Sequence, residues 1–151
     1  MKIGIAADHA GFEQKKLFVK YLGKLGFEIS DYGTLKYDAN DDYPDIIIPL
    51  ALAISRGKVE KGIAICESGV GVSIAANKFT GVRAALITEV CSAQQGVEHD
   101  NMNMICFGGR TIDFVLKWDL IEIFLRARYA GEERFKRRLD KVNKLEQWKN
   151  Y

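Results

Sequence analysis

Short apolar runs rich in β-branched residues alternate along the chain with longer stretches in which apolar residues recur every three or four positions. That alternation is the pattern of a parallel sheet covered by helices on both faces: a strand buried on both sides reads as an unbroken apolar run, and a covering helix carries one apolar stripe. Strands are expected over Lys2–Ala7, Phe27–Asp31, Gly62–Cys66, Arg83–Ile87 and Met104–Phe107. Phe18, Tyr21, Leu22 and Leu25 fall at i, i+3, i+4 and i+7, which predicts a helix from about Phe12 to Leu25, ended by Gly26. Pro44 suits the first turn of a second helix running through Ile54 and closed by Gly57, after a polar loop over Thr34–Asp42. Further helices are expected from just after Gly71, over Glu89–Glu98 and over Ile112–Arg128. Beyond Gly131, Phe135, Leu139, Val142, Leu145 and Trp148 keep helical spacing among charged and polar residues. A stripe this apolar needs a surface to cover, on its own domain or on a second subunit.

The length of 151 residues suits one domain, 1–151, large enough to fold without disulfides or metal. Apolar residues make up 48% and charged residues 28%, the balance of a globular protein rather than a disordered or membrane one. A net charge of +2 is too small for a nucleic-acid-binding face, so no nucleic-acid partner is expected. Cys66, Cys91 and Cys106 have neither CxxC spacing nor an even count, which fits reduced thiols in the cytoplasm better than a disulfide framework or a zinc site. The apolar run Met1–Ala7 reaches Asp8 too soon to be a secretory or membrane-spanning segment.

In an open parallel sheet ligands bind beyond the carboxyl ends of the strands, so the residues following each strand carry the functional expectation. Here the first strand runs into Asp8-His9-Ala10-Gly11, the third into Cys66-Glu67-Ser68-Gly69-Val70-Gly71 and the fifth into Gly108-Gly109-Arg110. His99 and Asp100 precede the fifth strand and reach the same rim if the loop there folds back. Ser68–Gly71 joins a strand to a helix, where glycines let amides turn toward an anion; the same pattern also serves as a plain tight connection. Cys66 is either a small buried apolar residue or a base or nucleophile at a helix start. Cys91 and Cys106 lack that context and are assigned to packing. Arg134 and Arg138, at i and i+4, share a helix face and either clamp a phosphate group or face solvent.

Taken together, Asp8-His9-Ala10-Gly11-Phe12, Asp42-Tyr43-Pro44, Cys66 with Ser68-Gly69-Val70-Gly71, the run SIAANK from Ser73 to Lys78, Gly81-Val82-Arg83-Ala84, His99, Asn103, Phe107-Gly108 and Arg110 resemble the ribose-5-phosphate isomerase B family, which also holds allose- and galactose-6-phosphate isomerases. The resemblance spans nearly the whole chain in order. It implies a Rossmann-like three-layer αβα sandwich on a five-stranded parallel sheet, a homodimer or tetramer with active sites shared between subunits, and a C-terminal helix packed on the partner. It further implies that Cys66 moves a proton between C2 and C1, that His99 is the acid opening the sugar ring, and that Asp8, His9, Arg110, Arg134 and Arg138 contact the sugar phosphate. Tyr43 and Asp100 join that substrate-contacting set, while Glu67, Ser68, Gly69, Val70 and Gly71 wrap the reacting end. An enediolate needs a base at the carbon acid and donors at the oxygen that gains charge. Cys66 and the Gly69–Gly71 amides meet both needs, Ser68 relays the hydroxyl proton, and neither metal nor other cofactor is expected.

Some members of the family place a glutamate where this chain has Val72, which cannot ionise, so the cysteine chemistry is the one available. Glu67 stands where the family usually has glycine, Asp100 where it has asparagine, and Phe135 where a histidine is common. The first two add negative charge beside an anionic substrate. The nearest rival reading is the same chemistry on a six-carbon sugar phosphate. A non-catalytic sugar-phosphate or nucleotide-binding module needs neither Cys66 nor His99, and a purely structural oligomer leaves the polar rim without a purpose.

Overall fold

The structure is a computed structural model that describes residues 1–147. Each expected strand forms: β1 (Lys2–Ala7), β2 (Glu28–Asp31), β3 (Lys61–Cys66), β4 (Ala84–Leu86) and β5 (Met104–Gly108). All pair in parallel in the order β2-β1-β3-β5-β4, with Ile5 opposite Ile63 and Ile63 opposite Ile105 at the centre. The helices between them are α1 (Phe12–Lys24), α2 (Tyr43–Ser55), α3 (Val70–Ala76), α4 (Val90–Asp100) and α5 (Phe114–Arg126), followed by α6 (Glu133–Leu145). α3 begins at Val70, ahead of Gly71, because Gly69 takes the left-handed conformation (φ +81°) that turns the chain into the helix and that glycine adopts without strain. α4 runs past its expected end to Asp100 and is capped at its start by Glu89, whose carboxylate is held below the usual carboxylate pKa first by the Ser92 hydroxyl and then by the Ser92 and Cys91 amides, all of which donate to it. Asp113 caps α5 in the same way, through the Leu116 amide.

Side chains alternate across the strands, so the sheet has two apolar faces. Ile3, Ile5, Ile63, Ile65, Ile105 and Phe107 pack with residues of α1, α4 and α5; Ala6, Ala64, Cys66, Met104 and Cys106 pack with residues of α2 and α3. This is the three-layer αβα sandwich. Of the first helix's stripe, Phe18 and Leu22 are fully buried, Tyr21 is partly exposed, and Leu25, just past the helix end, lies mostly in solvent. Tyr21 packs edge-on against Trp118 of α5 at 5.8 Å. The terminal stripe is covered by its own chain only at its start. Phe135 is buried, whereas Val142 and Leu145 remain exposed and, with Leu139, border a cavity of about 710 Å³ against β4 and α4. Trp148 lies outside the described residues.

Three turns at the carboxyl ends of β1, β3 and β5 are joined by backbone hydrogen bonds. The Asp8 amide donates to the Ile65 carbonyl (3.1 Å), and the Gly109 amide to the Cys66 carbonyl (2.6 Å). The Gly109 carbonyl in turn accepts from Gln14 Nε2 (2.8 Å) and from Nζ of Lys117 (3.0 Å), a fully buried lysine whose pKa burial lowers. A Cβ on Gly109 would stand 2.5 Å from the Ala10 carbonyl oxygen, so the two outer turns meet only because this residue has no side chain. Gly109→Ala is therefore expected to cost about 1–3 kcal/mol of stability. Urea denaturation is the check; an unchanged midpoint would mean the turns can separate freely.

Candidate active site

Cys66 is the last residue of β3, and its side chain is buried on the α2–α3 face. The Gly69 amide donates to its sulfur at 3.1 Å, which directs Sγ toward the turn that opens α3. Ser68 is exposed beside it, with Oγ accepting from the Val70 amide (3.3 Å). Across this turn the Tyr43 ring lies so close to Gly71 that a Cβ there would come within 2.7 Å of it. Tyr43, at the start of α2, thus forms one wall beside Gly69, Val70 and Gly71. Val72 points away into the core. Glu67 reaches Arg110 in the turn after β5, with 3.3 Å between Oε1 and Nη1; both side chains are mostly in solvent. The negative charge that Glu67 adds is therefore met by a cation of the same chain, in a pair too wet to be strong.

Asp8 and His9 occupy the turn after β1. The Asp8 side chain is buried, and that burial raises its pKa against the opposing pull of the Ala10 amide (2.9 Å) and of His9. His9 is bonded through Nδ1 to Oδ1 of Asp41 at 2.6 Å, and its backbone amide donates to the same oxygen at 3.2 Å. That carboxylate hydrogen bond, more than any other influence, lifts the His9 pKa above its ordinary value. Asp8, His9 and Asp41 bring potential ligand atoms within 4.8 Å of one another and so form the one cluster of metal-ligating types found among the described residues. In the structure His9 Nδ1 is taken up by the Asp41 bond.

His99 and Asp100 do not join this rim. No loop folds back: both residues belong to the last turn of α4, which runs antiparallel to the strands and ends where β5 begins, at the opposite edge of the sheet from Cys66. There His99 stacks on Phe135 of α6 with 4.0 Å between ring centroids and 17° between planes. The Arg134 guanidinium carbon lies 4.4 Å from the centroid of the same Phe135 ring. Arg134 Nε also meets Glu132 at 3.0 Å, Arg138 is exposed one turn further along α6, and Asp100 borders the cavity under that helix. Within one chain the expected residues thus divide in two. Asp8, His9, Tyr43, Cys66, Glu67, Ser68, Gly69, Val70, Gly71 and Arg110 gather at the carboxyl rim, and His99, Asp100, Arg134 and Arg138 at the other.

One further sequence expectation changes. Cys106 is packed, and burial pushes its thiol far above the ordinary value, but Cys91 is exposed in the first turn of α4 rather than packed. Asp41 carried no expectation of its own, since it stands in the run Asp38-Ala39-Asn40-Asp41-Asp42, where nothing in residue type marks one carboxylate from the next. Asn77 and Asn103, both within the familiar motifs, turn out to hold backbone: Asn77 bridges Ser73 and Ala84, and Asn103 bridges Arg83 and Gly81.

A family model described as Ribose/Galactose Isomerase matches residues 3–142. The chain belongs to the ribose/galactose isomerase family. It is 39% identical over 149 residues to ribose-5-phosphate isomerase B of Escherichia coli, covering 99% of both chains. Among solved structures, ribose-5-phosphate isomerase B of Clostridium thermocellum superimposes with a TM-score of 0.93 at 37% identity, over 97% of this chain and 98% of that one. The Mycoplasma genitalium enzyme, solved with bound ribulose-5-phosphate, does so with a TM-score of 0.92 at 37% identity, over 97% and 96% of the two chains. No helix among the described residues is long and apolar enough to cross a membrane.

The Phe135 ring, packed between His99 and Arg134, generates a prediction of its own. Phe135→Ala is expected to cost about 3–5 kcal/mol, and Phe135→Leu, which keeps most of the volume, less than about 1.5 kcal/mol. Urea denaturation distinguishes them; equal and small losses would show that the ring is not a packing element.

Proposed function

We propose that this isomerase interconverts ribose 5-phosphate and ribulose 5-phosphate through an enediolate, with Cys66 as the base and His99 as the acid that opens the sugar ring. The observation that carries the reading is the position of Cys66 Sγ, held by the Gly69 amide beside an exposed Ser68 on a rim that also presents His9 and Arg110. The Cys66 thiolate takes the proton from C2 of the open aldose and returns it to C1. Ser68 relays the hydroxyl proton between O1 and O2. The turn that opens α3, whose Gly69 and Val70 amides are engaged by Cys66 Sγ and Ser68 Oγ, sets its fixed dipoles beside the oxygen on which charge develops. Binding energy on the remote phosphate positions the chain for this chemistry without entering it. The bound ribulose-5-phosphate of the Mycoplasma genitalium relative favours a pentose phosphate over a six-carbon one.

The division of the expected residues gives this reading its second part. His99, Arg134 and Arg138 cannot serve Cys66 of their own chain from the far edge of the sheet, so each site draws Cys66, Asp8 and His9 from one copy and His99 with the two arginines from another. The exposed end of the α6 stripe, Val142 and Leu145, is then the surface that meets the second copy.

Two experiments test these parts. Incubation with a panel of aldose phosphates in deuterated buffer should introduce deuterium at C2 from ribose 5-phosphate, and Cys66→Ala should abolish both exchange and turnover while calorimetry still detects substrate binding. Turnover near the wild-type value in that variant overturns the role of Cys66. Chains carrying Cys66→Ala and chains carrying His99→Ala, each inactive alone, should recover about a quarter of wild-type activity when co-expressed as random dimers, since half of the dimers then hold one intact site. An absence of recovery, with mixed dimers present by mass spectrometry, would place both residues in one chain's site.

A further inference from the structure

We propose that Asp41 is a positioning residue of the active site, holding His9 so that its outward nitrogen, Nε2, bears a proton and donates to an anionic group of the substrate. The proposal rests on the sugar-phosphate reading above. Asp41 is held at two points by His9, the ring Nδ1 at 2.6 Å and the backbone amide at 3.2 Å, both on Oδ1. Its side chain is only 7% exposed, and Oδ2 is buried with no partner. A carboxylate so enclosed leans on one neighbour for its charge compensation, and His9 is that neighbour. The His9 side chain itself is 30% exposed, so the ring edge away from Asp41 remains open to a ligand.

The tautomer follows from the bond. An ionised carboxylate only accepts, so the proton lies on Nδ1, and neutral His9 therefore has an Nε2 lone pair that repels an anion. Only the imidazolium offers an Nε2–H to phosphate. The charged groups facing His9 come from three elements: Asp8 beside it, Asp41 from the loop before α2, and Glu67 from the turn after β3, itself paired with Arg110. All three carboxylates favour the imidazolium, and partial burial of the ring opposes it. The loop carrying Asp41 is anchored at its other end as well. Buried Lys15 donates to Asp31 (2.9 Å) and to the Thr34 carbonyl (2.8 Å), so Asp41 is presented by a segment pinned on both sides.

The test uses Asp41→Asn and Asp41→Ala. Titration of His9 followed by NMR is tractable because the chain has two histidines, and His9→Gln assigns the signal. In both variants the His9 midpoint should fall below the wild-type value, since the carboxylate hydrogen bond that raises it is lost. Affinity for inorganic phosphate, and KM for ribose 5-phosphate, should match wild type near pH ~5.5 and weaken up to about tenfold above the variants' midpoint, with kcat little changed. A lower midpoint joined to pH-dependent weakening of phosphate binding supports the proposal whether or not the chain turns over ribose 5-phosphate, which separates it from the isomerase reading. An unchanged midpoint, or a phosphate affinity ratio that does not vary with pH, overturns it.

Discussion

A parallel sheet forces every crossover helix to run back against the strands, and that single constraint arranges the chemistry of this molecule. Residues just after β1, β3 and β5 share one rim, while residues at the ends of α4 and α5 share the other. Cys66 and His99 are therefore placed at opposite edges by chain direction itself, whatever their side chains do. The pair proposed above can act together only where two copies meet. Assembly is then a condition of the proposed chemistry, and the incomplete cover over α6 is the corresponding condition on packing.

The same constraint explains why the carboxyl rim was legible in the sequence and the far edge was not. Strand ends announce themselves, because an apolar run stops at a polar or glycine-rich segment; Asp8 follows β1 at such a stop, and Cys66 and Gly108 end β3 and β5 at one. Reading His99 as a loop residue near that rim failed because α4 continues past Glu98, held by the Glu89 cap at its start and ended by Asn101 in the left-handed conformation (φ 52°). The start of α3 differs from its expected place by a similar margin, since either Gly69 or Gly71 could serve as the turning residue and only the backbone decides between them. Lys15 and Lys117 look like solvent-facing helix positions by type, yet both are fully buried with acceptors around Nζ. Asp41 was invisible for the opposite reason: it is one carboxylate in a polar loop, and only the folded chain sets it against His9.

Two departures from the family pattern acquire physical sense once the neighbours are seen. Glu67 is met by Arg110 of the same chain, so the extra charge does not stand alone beside the thiol. Phe135, in place of an imidazole, provides a buried flat surface against which His99 stacks on one side and Arg134 rests on the other. An aromatic face holds a guanidinium by cation–π attraction without competing for its hydrogens, of which the one on Nε meets Glu132.

Charge balance at the carboxyl rim carries the argument one step further. Asp8, Asp41 and Glu67 face the same space as His9 and Arg110, and Arg110 is already engaged with Glu67. Burial raises the Asp8 pKa, against the pull of the Ala10 amide and of His9. A rim of this composition does not attract a phosphate dianion by net field; it can only receive one at a point where a proton-bearing nitrogen is aimed and further cations approach. His9, held by Asp41, is the first of these, and Arg134 and Arg138 of a second copy are the second in the two-copy reading. Substrate binding and subunit assembly are then linked through the same arginines. A copy without its neighbour would keep Cys66 and His9 in place but lack the two arginines that the two-copy reading brings to the phosphate.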